Sequence, residues 1–271
     1  MGRGWEIQNR KHFDEIVENY DKTRPEYPAD LISDIFRYVY ADNCKKALEI
    51  GAGTGKATKS FLEAGYDVTA VEIGENMAKF LQERFRAYFN FEVMNDAFEK
   101  APLENDTYDL IYAASAFHWV DAAIGCPKAL RLLRSGGTLA LFRYNVVPVD
   151  GEELYEEIQA VYEKHFHKPY IRSVKTEKKE YEQPSEIFRG FRCKALNEYG
   201  FVDVTMKCYD VTRTFDADEY INLLDTMADH RSLADDDKTA LYTGIKEAIR
   251  KHGGEINVDY IFQLYLGRKC G

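Results

Sequence analysis

The chain has 271 residues and a formal net charge of −10. A hydrophobic fraction of 45% and an aromatic fraction of 14% exclude a largely disordered protein, and the length supports a real core without disulfide or metal staples. The acidic balance argues against a broad nucleic-acid surface, which needs clustered Lys and Arg to displace counterions.

The N-terminus carries charges but no apolar run after them, so no leader is read there. A helix is expected over 12–20, and Pro25 and Pro28 then impose an extended connector. Leu31, Ile32, Ile35, Phe36 and Val39 recur at helical spacing and predict an amphipathic helix over 29–40. From Lys46 to Arg143 short apolar runs alternate with helical stretches. Strands are expected at 47–50, 67–71, 91–94, 108–113 and 137–142, with helices at 56–64, 75–88 and 121–133. This alternation implies βαβ units and a parallel sheet buried on both faces. The stretch 110–120 is interrupted by Ser115 and His118 and is too short to cross ~30 Å of hydrocarbon.

The pattern changes after 150. A helix is expected from 151 to 165, then a charge-dense segment over 172–182. Strand character returns over 201–214, helices over 217–227 and 235–250, and a final strand over 258–266, entered through Gly253-Gly254. The two late strands read as an antiparallel pair added to the same sheet. The fold class expected is α/β, a doubly wound Rossmann-like sheet of about seven strands with helices on both faces. One domain is expected, with N-terminal lid helices over 1–42, a core over 45–145, a cap insertion over 150–199 and C-terminal elements over 200–271.

The five cysteines, Cys44, Cys126, Cys193, Cys208 and Cys270, are odd in number and lack C-x-x-C spacing. This fits free thiols in a reducing, cytoplasmic setting, with no disulfide framework and no zinc site. His165 and His167 are two apart, which on a helix points them to different faces.

Glu49-Ile-Gly51-Ala-Gly53-Thr-Gly55-Lys56 falls between a predicted strand and a predicted helix. Glycines there let a ligand approach the backbone with no Cβ in the way. A P-loop is disfavoured, because Ile50 stands five before Gly55 and Ala57 replaces the Mg²⁺-binding Ser or Thr. A dinucleotide loop is disfavoured because Lys56 occupies the position of its third glycine. The remaining pattern, E/D-x-G-x-G-x-G, is matched at every fixed position.

On that motif the chain resembles the class I S-adenosylmethionine-dependent methyltransferases, over about 20–143. It is similar to their small-molecule branch, the methyltransferase type 11 and trans-aconitate methyltransferase-like group. The resemblance implies S-adenosyl-L-methionine as cofactor, with S-adenosyl-L-homocysteine as product. It assigns the cofactor's ammonium to Glu49, with a buried structural carboxylate as the alternative. It gives the cofactor to the loop residues Gly51, Ala52, Gly53 and Gly55, its ribose to Glu72 with Ile73 beside it, and its adenine to Asp96 and the Ala97 N–H. Ala113, at the end of the fourth strand, completes that set. Tyr20 and Arg24 would fold over the cofactor, Arg24 meeting its carboxylate; surface packing is the other reading.

His118 is the candidate base, or with Trp119 it lines the acceptor pocket. Arg143, Tyr144, Arg189 and Arg192 are further acceptor-side groups. A small-molecule acceptor is expected, a carboxylate or another oxygen nucleophile, with no membrane partner and nucleic acid disfavoured. The alternatives are an RNA or protein methyltransferase of the same fold, or a protein that binds the cofactor without catalysis. Ser115-Ala-Phe-His118 stands where a target motif such as Asn-Pro-Pro-Tyr would be.

Overall fold

A computed structural model describes residues 14–39, 45–147, 152–166 and 193–271. In chain order they form α1 (Val17–Thr23), α2 (Ala29–Tyr38), β1 (Lys46–Ile50), α3 (Thr58–Glu63), β2 (Asp67–Val71), α4 (Glu75–Arg84), β3 (Phe91–Met94) and β4 (Tyr108–Ala114). A 3₁₀ turn (Phe117–Trp119) follows. Next come α5 (Ala122–Leu132), β5 (Leu133–Val147), α6 (Glu153–His165), α7 (Cys193–Glu198), β6 (Phe201–Asp216), α8 (Ala217–Leu224), α9 (Ala228–Arg231), α10 (Asp235–Lys251) and β7 (Glu255–Lys269).

The seven strands form one sheet in the order β3-β2-β1-β4-β5-β7-β6. β1 runs parallel to β2 and β4, β2 to β3 and β4 to β5, while β7 runs antiparallel to both β5 and β6. The chain winds outward from β1 to β3, then returns to β4 on the other side of β1. The carboxyl ends of β1 and β4 flank that reversal, where open sheets leave a crevice for ligands.

Strand alternation feeds two cores. On one face Ala47, Leu110, Tyr112, Phe142 and Phe262 pack with Leu31, Ile35, Phe61 and Leu81 from the helices. On the other, Leu48, Ile111, Leu139 and Tyr265 pack with Cys126, Ala129 and Leu196. The Phe61 and Tyr112 rings stack at 3.9 Å beneath the sheet's centre. A third apolar cluster joins α6, α8 and α10 through Ile158, Tyr162, Ile221, Leu241 and Ile245. It packs together helices of the β5–β6 and β6–β7 connections.

Some expected boundaries move. Of the helix expected over 12–20, residues 12 and 13 lie outside the described residues; the described helix spans Val17–Thr23 and runs up to the Pro25 break. The helix after the glycine loop starts at Thr58, because turns continue through Ala57. The fifth strand extends well beyond 137–142, because β7 pairs along it from Thr138 to Val147. Gly136-Gly137 sits in a bulge of that strand. Pairing against β4 jumps from Leu133 to Thr138, so 134–137 bulge out, with Gly136 at φ +75°. The charge-dense 172–182 segment, Arg189, Arg192, His167 and Cys44 lie outside the described residues.

Candidate functional site

A cavity of about 260 Å³ opens over the carboxyl ends of β1, β2, β4 and β5. The glycine loop forms one wall. A Cβ built on Gly51 would lie 2.6 Å from the Ala116 Cβ, so the loop after β4 packs where that side chain is missing. Gly53 has φ +59°, and the nearest atoms to its absent Cβ, Met77 Sδ and Tyr20 Cε1, are 3.9 and 4.0 Å away. It faces open cavity.

Glu72 fixes the next wall. Its Oε2 accepts the Gly53 N–H at 2.8 Å and its Oε1 the Gly74 N–H at 2.8 Å. Burial raises its pKa, and those N–H groups pull it back. Ile73 lies beside it on the cavity. Asp96, Ala97 and Phe98 close this end. The Ala97 N–H donates to Asp96 Oδ1 at 2.7 Å. Lys128, buried, donates from Nζ to the carbonyls of Phe98 (2.6 Å) and Ala101 (2.7 Å), clasping the loop from behind.

The opposite end is roofed by Tyr20 and Arg24. Arg24 Nη1 donates to the Tyr144 hydroxyl and Nη2 to the Thr226 carbonyl, both at 2.8 Å. Its guanidinium lies 5.2 Å from the Tyr20 ring centre. Burial pushes the Tyr20 hydroxyl up to about 12. Among the described residues no carboxylate pairs with Arg24, and its buried Nε has no hydrogen-bond partner. The fourth side carries His118, Trp119, Arg143 and Tyr144. The His118 and Trp119 rings are 5.1 Å apart, and Arg143 Nη2 donates to Asn145 Oδ1 at 3.0 Å.

Four expected cofactor residues stand off this cavity. Glu49 is fully buried beneath the loop, where its Oε2 accepts the Thr58 hydroxyl at 2.5 Å and the Tyr112 hydroxyl at 2.9 Å. Burial pushes its carboxyl up to about 8. Gly55 packs against Phe85 and Leu81; a Cβ there would lie 2.8 Å from Leu81 Cδ2. Ala113 is buried in the core on the far face and borders a smaller chamber with Leu141 and Tyr265. Ala52 borders a second small chamber with Tyr27 and Lys56.

The structure adds residues that sequence patterns missed. Asp14 and Met77 line the cavity, as do Ser115 and Ala116. Met77 fits a core-facing helix position equally well, and Asp14 belongs to no motif. Ser115 has φ +53°, a conformation its residue type does not announce. Its Oγ accepts the Tyr27 hydroxyl at 3.0 Å. Among the described residues no cluster of three or more His, Cys, Asp or Glu could hold a metal ion, and no helix is long and apolar enough to cross a membrane.

A 3-2-1-4-5-7-6 sheet with antiparallel β7, a glycine loop after β1 and an acid after β2 is the class I methyltransferase architecture. Residues 48–141 match the family described as methyltransferase domain. Over that core the chain is similar to the class I S-adenosylmethionine-dependent methyltransferases. The Mycobacterium tuberculosis protein named uncharacterized methyltransferase Rv3342 is 34% identical over 129 residues, 48% of this chain and 50% of that protein. The match thus spans about half of that relative's length. Uncharacterized methyltransferase C25B8.09 of Schizosaccharomyces pombe is 22% identical over 90% of each chain. Among solved structures, the Haemonchus contortus phosphoethanolamine N-methyltransferase 2, with S-adenosylhomocysteine bound, superposes with TM-score 0.54 at 13% identity, covering 99% of this chain and 60% of that one. YcgJ of Bacillus subtilis gives TM-score 0.54 at 15% identity, covering 90% and 100%. At these identities the structural likeness is one of fold.

Proposed function

We propose that the protein is an S-adenosylmethionine-dependent methyltransferase acting on a small-molecule acceptor. The observation that carries the reading is the pairing of two complementary ends on one cavity. Arg24 lacks a carboxylate partner among the described residues at one end, and the Glu72 carboxylate lies at the other, with Gly53 open between them. These residues suit a zwitterionic amino-acid tail joined to a nucleoside. Arg24 would hold the carboxylate, Glu72 the ribose, and Asp96 with Phe98 the adenine. When bound, the cofactor supplies a methyl group on an already activated sulfonium, open to in-line displacement.

The protein's contribution is then mainly positioning and exclusion of water, worth several kcal/mol of barrier. Tyr20 offers an aromatic ring to the cationic part of the ligand. His118, Trp119, Arg143 and Tyr144 face the acceptor side. Half-buried Arg143 favours an anionic acceptor, such as a carboxylate, which needs no general base. An acceptor with an ionisable hydroxyl would require His118 to take its proton. The cysteine pattern supports a cytoplasmic setting, and the net charge of −10 favours a small acceptor over nucleic acid.

Calorimetry with S-adenosylhomocysteine tests the reading. Micromolar binding by the wild type is expected, with Glu72→Ala weakening it by on the order of tenfold or more. No detectable binding at millimolar ligand would sink it.

A further inference from the structure

We propose that Asp14 is a second carboxylate for the cofactor's ribose diol, delivered to the cavity by the segment leading into α1. The proposal rests on the cofactor reading above and adds a residue that no motif supplies.

A vicinal diol presents two O–H donors, and two oriented acceptors hold it better than one. Glu72 is the acceptor that the motif spacing supplies, but both of its oxygens already take a backbone N–H, from Gly53 and Gly74. Its spare acceptor capacity is correspondingly reduced. Asp14 lies directly across Gly74. A Cβ built on that glycine would be 2.5 Å from Asp14 Oδ1 and 3.2 Å from Glu72 Oε1, so the two carboxylates flank the space that a side chain at this position would fill. Both acids line the same cavity.

Asp14 is held in place by its other contacts. Its Oδ1 accepts the Met77 N–H at 2.9 Å, capping the first turn of α4 from outside the helix. Its backbone carbonyl accepts Asn76 Nδ2 at 3.2 Å. Among the described residues no donor reaches Oδ2. Facing another carboxylate without a bridging donor is unfavourable, and the Asp14 charge helps to raise the Glu72 pKa. A diol whose hydroxyls bridge the two acids supplies the missing donors.

Capping alone would also explain an acid at this place, so the test must separate the two roles. Binding of S-adenosylhomocysteine and of its 2′-deoxy and 3′-deoxy analogues is measured by calorimetry for wild type, Asp14→Ala and Asp14→Asn. The Asn variant retains a capping oxygen, and the thermal midpoint of each variant is recorded. Asp14→Ala is expected to weaken S-adenosylhomocysteine by on the order of tenfold, yet to weaken the analogue lacking the contacted hydroxyl by less than about twofold. Asp14→Asn is expected to keep the wild-type midpoint and to show the same ligand-selective loss, reduced in size; if Asp14→Ala does not fold, this variant decides.

Equal weakening of all three ligands would reduce Asp14 to a cap and overturn the proposal, as would unchanged affinity for S-adenosylhomocysteine. A wild type that binds none of the three removes the cofactor reading itself, and this inference with it.

Discussion

Gly53 and Gly55 stand two residues apart with positive φ (+59° and +84°), and they serve different ends. A methyl group on Gly55 meets Phe85 and Leu81 inside the core, whereas one on Gly53 meets only the cavity. Gly55→Ala is therefore expected to cost about 2–4 kcal/mol of stability, from the left-handed backbone and overpacking together. Gly53→Ala is expected to cost only about 1 kcal/mol, from the backbone alone, yet to weaken S-adenosylhomocysteine by at least about tenfold. Urea denaturation and calorimetry on both variants separate the effects, and equal stability losses would refute the distinction. Glu49 allows a second test. Its folded pKa of about 8 lies above the ordinary 4.5, so the folded state keeps a proton that the unfolded chain releases. This contribution makes stability fall as pH rises from about 5 to 8, and levels off above that. Glu49→Gln mimics the protonated acid. It should match wild type within about 1 kcal/mol at pH 5 and exceed it by up to a few kcal/mol at pH 8. A parallel pH dependence of the two melting curves would show that Glu49 ionises freely. The glycine motif was legible in the sequence as a motif, but the division of labour within it was not. Which glycine faces ligand and which faces Phe85 depends on how α4 packs, and spacing along the chain is silent on that.

Helix α1 is lightly anchored. It is seven residues long and buries only Thr23, and short helices without a packed face are marginal. Its outer ties are the Asp21–Arg84 ion pair at 2.5 Å and a hydrogen bond from Asn19 to the Asn222 carbonyl at 3.1 Å, both near solvent. Such ties contribute little each. Tyr20 is its one residue on the cavity, so a ligand bound there would add contacts to the helix. Amide exchange in α1 is expected to be fast without ligand and to slow at least about tenfold with S-adenosylhomocysteine, while β1 and β4 remain unchanged. No change in α1 would mean that it does not cover the ligand. Periodicity ended α1 before Thr23, because its surface is polar almost all round and offers no stripe to read. The long β5 was underestimated for another reason. Its outer half is defined by its partner β7, more than a hundred residues later in the chain.

At the scale of the whole molecule, the alternation of strand and helix up to Arg143 announced a parallel α/β sheet; the final strand, read from Val258, Tyr260, Phe262, Leu264 and Leu266 on one parity, is in fact buried on both faces, because Ile261 and Tyr265 are covered too. Local pattern does not encode strand order. Hydrogen bonding between distant segments sets it. The cap was the least legible part. Its helices pack on one another through a separate apolar cluster, and their contacts join stretches on either side of β6.

The position of β7 has one more consequence. It is made after β6 but lies between β5 and β6, so β6 has no neighbour in the sheet until β7 arrives. Residues 217–254 must be synthesised in the interval, which takes roughly 2–8 s at about 5–20 residues per second. During that time the core from β1 to β5 can close on the ribosome, while β6 waits as an unpaired strand bearing Phe201 and Phe215. An unpaired edge with apolar side chains is the kind of surface that misassociates. Pairing of β7 along both of its edges, to β5 and to β6, ends that window.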